Sequence, residues 1–139
     1  MQVFGQLPLA ISARCYAARA RNLAKDGCRF VCGEHPEGMA VETLDAVPFL
    51  TVNGTQTLSH NVLDLLPELP HLRALGIRRF RLSPQNVDMV AVARTFRAAL
   101  GGAIDVAEAE ARLEALCPVA DFANGYFHGQ PGHALVEMD

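Results

Sequence analysis

Short apolar runs of strand length alternate with segments of helical period along this chain, and that alternation restricts the fold class. Val3 to Phe4 and Leu9 to Ala13 are too brief for helices and predict buried extended segments, so the chain begins inside a sheet. CYAARARNL, Cys15 to Leu23, has alanine and arginine at helical density and predicts a short helix ending before Lys25-Asp26-Gly27. Val41 to Leu44 and Pro48 to Val52 predict a hairpin around Asp45-Ala46, with Val41, Thr43, Phe49 and Thr51 alternating between faces. Asn53-Gly54 ends its second strand. Asn61 to Leu66 and Pro70 to Leu75 predict two short helices, the second opening at a proline and closing at Gly76. Arg79 to Leu82 predicts a short strand. Asn86 is the expected cap of a helix whose core stripe is Met89, Ala93, Phe96 and Leu100, stopped by Gly101-Gly102. Asp105 with Glu108 resembles a capping box before a second stripe of Val106, Ala109, Leu113 and Leu116. The closing glycine-rich stretch predicts a loop pinned by Phe122, Tyr126 and Phe127.

Strands alternating with helices, with no internal repeat and no second composition, predict one α/β domain over residues 1–139. Its expected form is a partial (β/α) barrel-like fragment with a β-hairpin insertion. At 139 residues, half of them apolar, the chain is long enough to bury a core without staples. A net charge of −3 argues against generalised nucleic-acid binding. The opening MQVFGQLPLAIS lacks a basic leader, and no run reaches the roughly 18 apolar residues of a membrane span, so a soluble, cytoplasmic protein is expected. In a reducing compartment four cysteines read as thiols or ligands rather than as a disulfide framework.

Cys28 and Cys32 lie four residues apart, between Gly27 and Gly33, in GCRFVCGEHPEG. In a helical turn their Cβ atoms would stand about 6 Å apart on one face. In a strand the separation would be about 13 Å, too far for one ion. The flanking glycines favour a turn, and Cys15, thirteen residues upstream, can be delivered by the intervening helix as a third thiolate. Zinc prefers a tighter Cys-x-x-Cys knuckle completed by cysteine or histidine, for which His35 is near enough. An iron-sulfur cluster accepts wider spacing and is favoured by adjoining positive charge, here from Arg14, Arg19, Arg21, Lys25 and Arg29. Against both stands the plain alternative that buried cysteines serve as small hydrophobes. Cys117, on an apolar helix stripe, fits that alternative best.

LPLAISARCYAAR, KDGCRFVC, PFLTVNGTQTLS and RLSPQ occur in this order, followed by FANGYFHGQPG. Together they resemble the collagenase-like peptidase family, in its ubiquinone-biosynthesis branch, over almost the whole chain. The resemblance implies that this chain is the C-terminal part of a longer barrel-like protein. It also implies that Cys15, Cys28 and Cys32 hold a 4Fe-4S cluster whose fourth ligand lies outside this stretch or is replaced by Cys117 or His35. It further implies a heterodimer with a UbiU-like partner, acting on a quinone precursor in an oxygen-independent hydroxylation. A peptidase or RNA-modifying role is the alternative within the family, and a zinc-stabilised or metal-free partner-binding module the alternative outside it.

No Gly-x-Ser-x-Gly or His-Glu-x-x-His is present, so the family name alone would carry a peptidase role. Ser59-His60 reads as a helix cap, His71 as a turn residue, and His128 and His133 as loop hydrogen-bonding groups. Arg78, Arg79 and Arg81 read as a solvated or paired set. Asn53-Gly54-Thr55-Gln56 and Gln85 stand at strand ends, where barrels place their chemistry, although turn formation explains them equally well.

Overall fold

A computed structural model describes residues 1–24 and 27–137. The described residues form a mixed α/β arrangement of six strands and four helices, in agreement with the expected class. The strand order is β2-β3-β4-β1-β5, with β6 also paired to β4. The chain divides into two compact units, residues 1–5 with 61–139 and residues 6–60.

The larger unit holds the beginning of β1 (Gln2–Ile11) and the end of β4 (Gln56–Asp64), together with α2 (Leu69–Ala74), β5 (Arg81–Leu82), α3 (Met89–Leu100), α4 (Val106–Leu116) and β6 (Phe122–Ala123). The pairs β1–β5 and β4–β6 are both parallel, with Phe4 opposite Leu82 and Val62 opposite Phe122. Parallel strands need covering on both faces, which explains why Val62 to Leu66 is buried without interruption. That run is also why the helix expected over Asn61 to Leu66 is absent. A short apolar run has no period to separate helix from strand, and here strand pairing decides. The core is completed by Phe4 and Phe96, edge to face at 5.8 Å, and by Val92, Leu113 and Leu72.

Both long helices carry side-chain caps. Asp88, rather than the expected Asn86, accepts from the Val90 and Ala91 amides at 3.0 Å. The buried face of α3 is accordingly Val92, Thr95 and Phe96, and Ala93 is exposed. Asp105 caps α4 through the Glu108 amide at 2.8 Å, and the expected stripe holds, with Ala109 and Leu113 at its centre.

The smaller unit contains the rest of β1 and β4 with α1 (Tyr16–Ala20), a 3-10 turn (Val31–Glu34), β2 (Met39–Glu42) and β3 (Pro48–Asn53). The expected β2–β3 hairpin forms around a turn in which Thr43 bonds Val47 through backbone and hydroxyl and Ala46 takes a positive φ. Thr43 thus belongs to the turn and not to the alternating set. Asn53 pairs with Gln56, so Gly54-Thr55 is a two-residue hairpin loop. Ser59 lies within β4 and its hydroxyl accepts from the Leu7 amide at 2.8 Å, replacing the capping role expected of it.

Val3-Phe4 and Leu9 to Ala13, expected as separate buried segments, largely merge in β1, because Gly5 lets one strand continue through a φ of +97°, and only the first is buried, Leu9 to Ile11 being exposed. A Cβ there would stand 2.5 Å from the Ser83 carbonyl oxygen. Gly5→Ala is expected to cost about 2 kcal/mol or more by urea unfolding. Asp105→Ala should cost about 1 kcal/mol, the usual loss for a helix cap.

Candidate functional site

Cys15 is placed by its neighbours in sequence and by the β3–β4 loop. The Gly54 and Thr55 carbonyls accept from the Tyr16 and Ser12 amides at 3.0 and 2.9 Å, bracketing Cys15 on both sides. Asn53-Gly54-Thr55-Gln56 therefore acts as a brace for the cysteine segment through its backbone. Cys15 itself precedes α1 and its Sγ accepts from the Ala18 amide at 3.4 Å. The buried Ala17 and Ala18 seat this helix, which contacts β3.

Cys28 and Cys32 do not share one helical face as the four-residue spacing predicted. Phe30, between them, takes a left-handed conformation with φ +54°, and only Cys32 lies in the 3-10 turn. Cys28 is exposed, and its Sγ accepts from the Phe30 amide at 3.4 Å. A left-handed backbone at a phenylalanine is costly and persists only where surrounding contacts impose it. The 3-10 turn lies against α1, and Arg21 bonds Glu34 at 2.5 Å between them.

Cys15 and Cys28 open on one cavity of about 370 Å³, together with Arg14, Arg19, Ala18 and Leu23. Two thiols and two guanidinium groups thus share a space lined otherwise by small and apolar side chains. Lys25, also expected in this positive field, lies outside the described residues. Among the described residues no three histidine, cysteine or acidic groups gather closely enough to hold one metal ion. Exposed His35 ends the 3-10 turn, where its amide bonds the Cys32 carbonyl.

In the larger unit the structure assembles Glu68, Asn124 and His128, of which only His128 was expected as a hydrogen-bonding loop residue. Glu68 is fully buried, and its Oε1 accepts from Asn124 Nδ2 at 2.9 Å and lies 2.8 Å from His128 Nε2. Its Oε2 is buried with no partner among the described residues. Asn124 also holds the Val136 backbone, accepting from its amide at 2.7 Å and donating to its carbonyl at 2.9 Å. Tyr126, expected to pin this loop, is largely exposed on one side but lays its ring on Gly132, and Asn124 adds hydrogen bonds to that pinning. Only its place in FANGYFHGQPG marked it beforehand, and nothing local marked Glu68.

Asp64 is also buried and accepts from the Leu66 amide at 2.9 Å. Burial, reinforced by the charges of Glu68, Glu110 and Glu114, raises its pKa from 3.8 to about 7, against the lowering effect of that amide. Glu110 is shifted upward as well, chiefly by burial and then by Glu114 and Glu68. Cys117 is buried, and that burial, with the Asp64 charge, pushes its thiol upward, which disfavours a thiolate ligand there.

Below about pH 4 Asp64 is protonated in both folded and unfolded chains; between there and about 7 only the unfolded chain releases the proton. Folded stability therefore falls as pH rises through that window, by on the order of 4 kcal/mol from Asp64 alone. Asp64→Asn keeps an acceptor for Leu66 and should gain on the wild type across the same range. Parallel stability curves for the two proteins would show that Asp64 ionises normally in the fold.

No solved structure matches the chain at a significant level of similarity. The sequence pattern of peptidase family U32 matches residues 1–137, which includes all four cysteines and the Asn124 loop. By that match across nearly its whole length, the chain belongs to peptidase family U32, the collagenase-like family its motifs resemble.

Proposed function

We propose that this chain is an iron-sulfur protein of the UbiV type, acting with a UbiU-like partner in oxygen-independent hydroxylation of a quinone precursor. The observation that carries the proposal is the cavity shared by Cys15, Cys28, Arg14 and Arg19. Thiolates and the sulfides of a cluster carry negative charge, and guanidinium groups beside them offset it. Three thiols spread over the start of α1, a loop and a 3-10 turn suit a group wider than a single ion, whose ligands meet different iron atoms. Cys15, Cys28 and Cys32 would hold the 4Fe-4S group, and the group when bound supplies electron transfer or activation of the oxygen donor.

The chain's own residues have separate tasks in this reading. The Gly54 and Thr55 carbonyls fix the backbone on both sides of Cys15. Arg21 and Glu34 hold the Cys32 turn against α1, and Arg14 and Arg19 supply the compensating charge. Cys117 takes no part, since its thiol is buried and shifted against ionisation.

Anaerobic purification is expected to yield a brown protein containing iron and acid-labile sulfide, and simultaneous alanine replacement of Cys15, Cys28 and Cys32 should remove both. Cys117→Ala should retain the colour. A colourless protein with stoichiometric zinc, or a brown one indifferent to the triple replacement, would defeat the reading. Arg19→Ala should leave the metal content in place while lowering the cluster's reduction potential, because it removes a positive charge that favours the electron-rich state. Cleavage of an unfolded protein substrate would instead point to a peptidase.

A further inference from the structure

The cavity of about 370 Å³ in the smaller unit carries charge of one sign only. Arg14 and Arg19 line it, no acidic side chain does, and among the described residues neither guanidinium has an ion pair. Arg21 shows the contrast, because its guanidinium is taken by Glu34. Two exposed guanidinium groups, with Ala18, Leu23 and Ala24 as apolar lining, suit a small anion that also has an apolar part, and the volume lies in the range of small-molecule pockets. Carboxylate is the anion whose two oxygens match the guanidinium fork.

The fold itself accounts for only one of these arginines. Arg19 stands in the last turn of α1, where a cation is favourable, whereas Arg14 precedes the helix start, where positive charge is unfavourable. Cys28 gives the same cavity a reactive atom. Its thiol is exposed, while Cys15, also in the lining, is half-buried, and Cys32, beyond the left-handed Phe30, does not line the cavity. Among several thiols, access decides which one meets a reagent first.

We infer that this cavity is a site of mixed-disulfide formation, in which Arg14 and Arg19 hold the carboxylates of a small anionic disulfide, of the glutathione disulfide class, and Cys28 exchanges with it. The Cys28 sulfur attacks one sulfur of the reagent, and the reagent's S–S bond breaks as the new one to Cys28 forms. The departing half leaves as a thiol with the proton that Cys28 gave up, so the reagent is the oxidant and that thiol the reduced product. The inference goes beyond the iron-sulfur reading, because a Cys28 bonded in this way cannot ligate iron. It concerns the chain without a cluster and is tested there.

The full chain, stripped of metal with a chelator, is treated with glutathione disulfide or with cystamine, a cationic disulfide, and the initial loss of the Cys28 thiol is followed by alkylation and peptide mass. Dividing the two rates cancels the ionisation of Cys28, since both reagents meet the same thiol. The same quotient measured in urea removes the reagents' own difference in reactivity. At low salt the folded chain should give a quotient about tenfold above the unfolded one, falling toward the unfolded value by about 0.5 M salt. Replacing both arginines, Arg14→Gln with Arg19→Gln, should abolish the preference and leave the reaction with cystamine in place. Equal quotients in folded and unfolded chains, a preference indifferent to salt or kept by the double variant, or first modification at Cys15, Cys32 or Cys117 overturns the inference. The salt series requires no variant to fold. A colourless anaerobic preparation would defeat the cluster reading and leave these rates unchanged, so the two fail separately.

Discussion

A carboxylate without water sets the terms for the larger unit. Removing Glu68 from solvent costs several kcal/mol unless donors surround it, and the chain answers with Asn124 and His128, fifty-six and sixty residues away. The backbone of Glu68 precedes α2, whose Leu72 amide bonds the Glu68 carbonyl, so one residue both starts a helix and anchors a distant loop. Asn124 transmits the constraint further, because its remaining polar atoms are committed to Val136. Asp64 in the same unit keeps its proton to near neutrality chiefly because it is itself buried, with nearby acidic groups adding to the effect.

The smaller unit relies on a different device, backbone geometry in place of buried charge. Its hairpin loop offers two carbonyls to the Cys15 segment, and Phe30 takes a conformation that few side chains tolerate. The result brings Cys15 and Cys28 from separate segments to one cavity without burying them: Cys28 is exposed and Cys15 is partly so. Exposed sulfur is open to exchange and oxidation.

What could be read in advance depended on whether the signal was local. The Asp105 cap, the α4 stripe and the β2–β3 hairpin each rest on residues within a few positions of one another, and each formed. The Asn61 to Leu66 segment did not form a helix, because its partners are strands far off in sequence and its apolar run carries no period. The three cysteines stood out through composition and motif, yet their conformation turned on Phe30, which nothing in the pattern distinguished. The Glu68 network was illegible for a similar reason. A glutamate among leucines and prolines looks like a solvated helix start until a loop more than fifty residues on closes over it.

The position of Cys117 has a practical use. Three thiols of the smaller unit are at least partly accessible, whereas this fourth is sealed in the core of the larger one. An alkylating reagent applied to the native protein therefore reaches three sulfurs quickly and the fourth only when that core opens. The protein carries its own clock for the opening of one unit, and the mass added by the last label reads it.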